Sequence, residues 1–232
     1  MLTRPRQDEI LRLVNTNKSA SVQELTELLD ASESTIRRDI IALDAQGKLT
    51  KVFGGAVALE TNEPVVEPSM KEKVLLNIEQ KREIAKIAAN LIEQQDFVFI
   101  DAGSTTECMI DYITQMDATF VTNAISHAQK LAQKGLQVLL IGGMLKPVTE
   151  AIVGSEAVLN LQKYHFTKCF MGTNGVDELR GCTTPDIKEA SIKQVVIQNT
   201  LPEHRYLLAD ASKFGTCSGV TFASLEEMNI IK

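Results

Sequence analysis

The chain has 232 residues, of which 44% are hydrophobic, and a formal net charge of −6. That length accommodates one small module and one α/β domain of ordinary size, each with its own core. No apolar run approaches the roughly 20 residues of a membrane span, and acidic residues interrupt the opening MLTRPRQDEILRLV before an apolar signal core can form, so a cytoplasmic protein with no membrane partner is expected.

Residues 6–15 read as a first helix with Ile10, Leu11 and Val14 facing inward, and a polar turn follows to Ala20. Residues 21–47 read as two short helices joined by a tight turn. Ser21 and Glu24 have capping-box spacing, and Val22, Leu25, Leu28 and Leu29 mark one apolar face. Asp30-Ala31-Ser32 breaks that pattern. Ser32 can cap a second helix that buries Ile36, Ile40 and Leu43, with Gly47 as a left-handed C-terminal cap. This second helix keeps Ser34, Thr35, Arg37 and Arg38 off its buried face, near the N-terminal end. Small hydroxyls and guanidinium forks displayed there suit a DNA major groove. An isolated Arg-Arg pair is more often a solvated surface, and the flanking residues are what reverse that reading.

After Gly47, residues 48–53 have strand chemistry, Gly54-Gly55 can make a two-residue hairpin turn, and Ala56-Val57-Ala58 returns. A recognition helix followed by a basic hairpin is a winged helix-turn-helix. RQDEILRLV (6–14), SESTIRRDIIAL (32–43) and KVFGGAV (51–57) together resemble the DeoR family of bacterial transcription regulators. The resemblance implies that Ser34, Thr35, Arg37 and Arg38 face double-stranded operator DNA and that Lys51 on the wing touches phosphate. Residues 1–57 carry eight basic and eight acidic side chains. A neutral module with few phosphate contacts binds weakly alone, so a homodimer or homotetramer is expected.

Residues 59–69 read as a linker, with two prolines and no amphipathic period. That divides the chain into a DNA-binding domain (1–58), the linker, and an effector-sensing domain (70–232). Residues 70–95 are strongly helical, with Val74, Ile78, Ile84, Ile87, Ala88 and Leu91 as the apolar stripe. From Phe97 onward strands alternate with helices. Apolar runs at 97–100, 119–122, 138–141, 169–171 and 206–209 are separated by helical stretches at 107–116, 124–134, 156–161 and 187–199. This is the pattern of an α/β domain with a mainly parallel sheet, in which ligands sit at the carboxyl ends of the strands.

Those strand ends carry the chemistry. Asp101-Ala102-Gly103-Ser104-Thr105-Thr106 passes from strand to helix, where a glycine turn aims amides and hydroxyls at one anion. Asn123, Gly142-Gly143, Asn174-Gly175 and Lys213 follow other strands, and Glu189 and Lys193 sit on the last long helix. A serine-capped turn of ordinary kind looks the same as GSTT, and a solvated Lys193 is as good a reading as a functional one. Together, glycines, hydroxyls, amides and lysines on one sheet edge suit a small polyol phosphate. DAGSTT, VTNA, IGGML, MGTNGVD, TTPD and ADASKFG also resemble the DeoR family, now its sensor domain. The resemblance implies a fold related to ribose-5-phosphate isomerase and a phosphorylated sugar effector. Gly103, Ser104, Thr105, Thr106 and Lys213 would form its phosphate side, and Asp101, Asn123 and Asn174 its sugar side. It further implies repression of a sugar-catabolism operon. One departure from the family pattern is the ending Asn229-Ile230-Ile231-Lys232, which lacks an ITD-like closing strand and puts the last sheet edge in question.

Cys108, Cys169, Cys182 and Cys217 lie far apart with no CxxC, which points to reduced thiols. No metal, cofactor or catalytic residue is expected. The alternative is a sugar-phosphate isomerase-like enzyme fused to a DNA-binding module, since Asp101, Asp177, Asp186 and Glu189 are carboxylates that could serve as a base. A purely architectural DNA protein is disfavoured by the size of the second domain.

Overall fold

Ser21 begins the helix-turn-helix by reciprocal capping. Its hydroxyl accepts from the Glu24 amide (3.1 Å), and the Glu24 carboxylate accepts from the Ser21 amide (2.8 Å). The computed structural model describes residues 3–17, 19–58 and 70–232, so the expected linker at 59–69 lies outside the described residues. The chain divides into two compact units, Met1–Val66 and Glu67–Lys232.

In the first unit the order is α1 (Thr3–Asn17), β1 (Ser19–Ser21), α2 (Val22–Leu29), α3 (Glu33–Ala45), β2 (Thr50–Val52) and β3 (Gly55–Val57). Asp30 turns the chain between α2 and α3 with φ 45°, and the Ser32 side chain accepts from the Thr35 amide to open α3. Gly47 takes φ +63° after α3, and Lys48 N–H returns to Leu43 O at 3.0 Å, the backbone pattern of a left-handed helix cap. Ile10, Val14, Leu25, Ile36, Ile40, Leu43 and Leu49 form the core.

Three local expectations change. Leu28 is 65% exposed, because the buried face of α2 runs through Val22 and Leu25. The expected polar turn before Ser21 contains β1, which pairs with β3 to make a three-stranded sheet in the order β1-β3-β2. The hairpin turn is Phe53-Gly54, not Gly54-Gly55, since Val52 pairs with Gly55. Gly55 is needed for closeness instead: a Cβ there would lie 2.3 Å from Ala20 O on the neighbouring strand.

The second unit runs α4 (Met70–Leu75), α5 (Ile78–Ala89), β4 (Phe97–Ile100), α6 (Ser104–Tyr112), β5 (Thr119–Thr122), α7 (Ile125–Gln133), β6 (Gln137–Leu140), β7 (Met144–Lys146), β8 (Ala151–Val153), α8 (Ser155–Leu161), β9 (Lys168–Gly172), β10 (Gly175–Asp177), β11 (Gly181–Thr184), α9 (Ile187–Gln198), β12 (Arg205–Leu208), β13 (Val220–Ala223) and β14 (Asn229–Ile231). Six strands form one sheet in the order β14-β12-β9-β4-β5-β6, with every neighbouring pair parallel. The central strands β4, β5 and β9 are apolar on both faces because both are covered, whereas the edge strand β6 leaves Leu139 and Leu140 exposed. Val98 and Ile100 pack with α5 and α6 residues such as Ile84 and Met109, while Phe99 packs with Ala190 and Val196 of α9.

The single long helix expected over 70–95 is two helices. Asn77 takes φ 53° between them, and its side-chain amide is held by Asp210 Oδ1 (3.0 Å) and Ser212 Oγ (3.2 Å). The buried face of α5 is Lys81, Ile84, Ala85 and Ala88, so Ile87 is left 51% exposed. Two antiparallel additions are not visible in the periodicity: the β7-β8 hairpin and the sheet β10-β11-β13, which takes in MGTNGVD and GCTT. The sheet edge put in question by the chain's ending is formed, with Asn229–Ile231 as β14, parallel to β12.

Candidate functional site

In the first unit the α3 N-terminus is an exposed polar surface. Ser34, Arg37 and Arg38 are exposed. Arg37 pairs with Glu33 one turn earlier (2.6 Å), with both side chains about 60% exposed, a geometry worth little in stability. Thr35 is half-buried and its hydroxyl lies 2.8 Å from Ser32 Oγ, within the cap. Lys51 is exposed on β2, and its amide donates to Asp44 Oδ1 (3.0 Å), which ties the wing to the end of α3. The same helix carries Asp39 on the opposite face. Asp39 is buried and accepts from Arg6 Nε (2.6 Å) and Gln7 Nε2 (3.0 Å) of α1. The aspartate of the TIRRD segment therefore locks helix to helix.

In the second unit a cavity opens at the carboxyl ends of β4 and β9. Of the expected effector residues, Gly103, Ser104, Thr105, Asn174, Lys193 and Lys213 line it. Gly103 has an extended backbone (φ 178°), so the turn does not require glycine for conformation; a Cβ there would sit 3.2 Å from Thr106 Oγ1. Lys193 is buried. Its ammonium meets Asp101 Oδ2 and donates to Gly172 O at 2.9 Å. Asp101 lies beneath the cavity wall, also accepting from Gly172 N (3.0 Å). Burial drives its carboxyl up from the ordinary range, against the charge of Lys193.

Three expected effector residues turn away from the cavity. Thr106 is buried and its hydroxyl contacts Asp101 O (2.6 Å) and Gly103 O (2.8 Å). Asn123 is buried as a brace, accepting from Ala102 N (2.8 Å) and donating to Ile152 O (3.4 Å). Gly175 starts β10, where a Cβ would meet Thr216 O at 2.5 Å. Each shapes the wall through the backbone.

Lys73, Lys81, Asp210 and His127 complete the site without having been singled out as candidates in the sequence. Lys73 of α4 lines the cavity. Lys81 of α5 is 3% exposed, and its ammonium donates to Ser104 Oγ (2.9 Å) and to Lys73 O. Burial lowers its pKa, and the nearby Asp210 charge works in the other direction. Asp210 is buried. Burial pushes its carboxyl up, but hydrogen bonds from Ser212 and the charge of Lys213 outweigh that and hold it below the ordinary range. His127 is fully buried beneath the turn, with Nε2 3.2 Å from Gly103 O, and burial pulls its pKa down to about 4. The only sequence signal for Lys81 is a lysine on what becomes the buried face of α5. Glu189 is buried and accepts from Lys146 (3.0 Å), Thr149 (2.7 Å) and Thr184 (3.1 Å). Among the described residues, no group of three His, Cys, Asp or Glu could hold a metal ion, and no helix is long and apolar enough to cross a membrane.

A winged helix-turn-helix in one chain with an α/β unit that gathers lysines and a helix N-terminus around a cavity is the architecture of a ligand-responsive transcription regulator. The DeoR-like helix-turn-helix domain model matches residues 6–62, and the DeoR C-terminal sensor domain model matches residues 76–232. The chain belongs to the DeoR family of DNA-binding transcriptional regulators. It is 41% identical, over 100% of its own length and 91% of the relative's, to a protein of Bacillus subtilis described as the uncharacterized HTH-type transcriptional regulator FruR. It is 36% identical to the lactose phosphotransferase system repressor of Staphylococcus aureus, over 97% of this chain and 90% of that protein. Among solved structures, ribose 5-phosphate isomerase A from Methanocaldococcus jannaschii aligns with 60% of this chain and 55% of its own, with a TM-score of 0.44 and 16% identity. The delta subunit of eIF2B from Chaetomium thermophilum aligns with 87% and 63%, at a TM-score of 0.47 and 12% identity. Likenesses at this level say nothing about activity.

Proposed function

We propose that this regulator represses a sugar-catabolism operon and that a phosphorylated sugar, bound in the cavity of the second unit, changes its affinity for operator DNA. Lys81 carries the reading: it is a buried cation directed at the first residue of α6. Together with Lys213 and the free amides at the start of α6, it makes one pole of the cavity attractive to an anion. Ser104, Thr105 and Gly103 take the phosphate at that pole; Asn174 and Lys193 face the sugar. Asp101, Thr106, Asn123 and Gly175 hold the walls that present those groups. Ser34, Arg37, Arg38 and Lys51 contact the operator, and Thr35 fixes the cap from which they project. The domains divide as 1–58, 59–69 and 70–232, the chain acts in the cytoplasm, and it binds DNA as a homodimer or homotetramer.

The protein acts as a binder, not an isomerase. The two buried carboxylates nearest the cavity, Asp101 and Glu189, are each engaged by a lysine and by further donors. A general base needs a lone pair free to reach substrate.

The test is a thermal-shift screen with fructose 1-phosphate, tagatose 6-phosphate, glycerol phosphate and pentose phosphates against their unphosphorylated counterparts. A ligand of the native state raises the melting temperature, and the active compound then alters binding to promoter DNA. No shift with any phosphosugar refutes the sensor assignment, and isomerisation above a boiled control revives the enzyme.

A further inference from the structure

The wing ends in a side chain that the fold does not use. Phe53 occupies the turn between β2 and β3, and its ring is fully exposed, at 109%. Phenylalanine in that position contributes nothing to the core of the first unit and keeps its whole apolar surface in water. It stands at the wing end of a furrow between α3 and the wing, which it helps to line. Arg37 and Ile41 line it from the helix, and Lys51 and Val52 from the strand. A furrow with a cation on each rim and exposed apolar groups between them matches one sugar-phosphate strand. The cations meet phosphate oxygens, and Ile41 and Val52 lie against deoxyribose.

Duplex geometry then determines where the ring goes. The α3 surface bearing Ser34, Arg37 and Arg38 fits the major groove. A single backbone strand separates that groove from the next. With that strand in the furrow, whatever projects beyond the wing reaches the minor groove. We propose that Phe53 enters the minor groove of the operator duplex as an apolar wedge that partly unstacks one base step. The inference rests on the assignment of α3 and the wing as the DNA-binding face. It adds a sequence preference set by how easily that step deforms, at a position where no hydrogen bond reads a base.

The probe is the duplex that the full-length wild-type chain selects from a random duplex pool. Affinity for it is measured across a salt series for the wild type, Phe53→Ala, Phe53→Leu and Lys51→Ala, and 2-aminopurine is scanned through the duplex to report unstacking. Phe53→Ala is expected to weaken binding by about tenfold to a hundredfold and to abolish the 2-aminopurine signal, while Phe53→Leu retains most of the affinity. The slope of log affinity against log salt stays unchanged in Phe53→Ala, whereas Lys51→Ala lowers it by about 1. Wild-type affinity in Phe53→Ala overturns the wedge. So does a loss of affinity accompanied by a change in self-association in light scattering, since the ring then meets protein. If the wild type enriches no duplex, the DNA-binding assignment itself fails, an outcome separate from a neutral Phe53→Ala on a duplex the wild type binds.

Discussion

The Lys81 ammonium lies 2.9 Å from the Ser104 hydroxyl, joining the first turn of α5 to the first residue of α6. Replacing Lys81 with methionine keeps the length and apolar stem of the side chain and removes the charge. A charge-assisted hydrogen bond contributes about 1.5–3 kcal/mol, so the active phosphosugar should bind at least about tenfold more weakly by calorimetry. DNA binding without effector should persist. Because burial lowers the Lys81 pKa, its charge is lost sooner, as pH rises, than that of a lysine in water. Effector affinity is therefore expected to decline at alkaline pH before an ordinary lysine titrates, and in Lys81→Met this component of the decline should vanish. Equal effector affinity in Lys81→Met and wild type would remove Lys81 from the site.

His127 makes the second unit sensitive to acid. Its pKa falls from 6.5 to about 4 on burial. Between these values the unfolded chain takes up a proton that the folded one refuses, so stability is intact above pH 6.5 and is lost as pH drops toward 4. The loss is on the order of 3 kcal/mol. Denaturant melts from pH 7 to pH 4 should show a shallower decline for His127→Gln, which retains a donor toward Gly103 O, than for the wild type. Parallel curves would mean that other groups govern the acid transition.

Breaking the Asp39–Arg6 pair should unfold the first unit selectively. Removing the Asp39 carboxylate takes a buried acceptor from Arg6 and Gln7, and breaking a buried pair in this way costs about 3–5 kcal/mol. Asp39→Ala should lose operator binding through loss of structure, yet still respond to effector in the second unit. An unchanged melt of residues 1–58 in Asp39→Ala would show the lock to be dispensable.

Arg37 and Glu33 give the opposite case, an exposed pair whose loss leaves the fold intact. Arg37→Ala should lower operator affinity at least about tenfold, the scale of one good base or phosphate contact, with no change in melting temperature. Glu33→Gln removes an anion from the helix end that meets DNA and should strengthen binding, most visibly at low salt. Weaker binding in Glu33→Gln would mean that the carboxylate is needed to orient Arg37.

The sequence exposed the elements that obey a simple period. Ser21 with Glu24, Ser32 and Gly47 mark the helix ends correctly because capping is local chemistry, and the 97–100 and 119–122 runs are strands because both faces are apolar. Misreadings came where tertiary contacts decide. Asn77 breaks a helix through an amide that reaches residues 210 and 212, far along the chain. Lys81 spoils the apolar count of α5 by being buried, which also turns Ile87 outward. Thr106 and Asn123 carry the right chemistry for a ligand, but their polar atoms are taken up by the backbone around the turn. Lys81 is not legible because an isolated charge in sequence gives no sign of what it will face, and Asp210 stands inside ADASKFG with nothing to mark its contact with Asn77.

The clasp between Asn77 and the 210–212 loop has a mechanical meaning. Lys213, on the cavity wall, immediately follows that loop, and α4, which begins at Met70, leads directly into Asn77. A shift of Lys213 on binding a guest is therefore expected to reach Asn77 and the end of α4 through that clasp, and Asn77→Ala should leave the guest bound without that response.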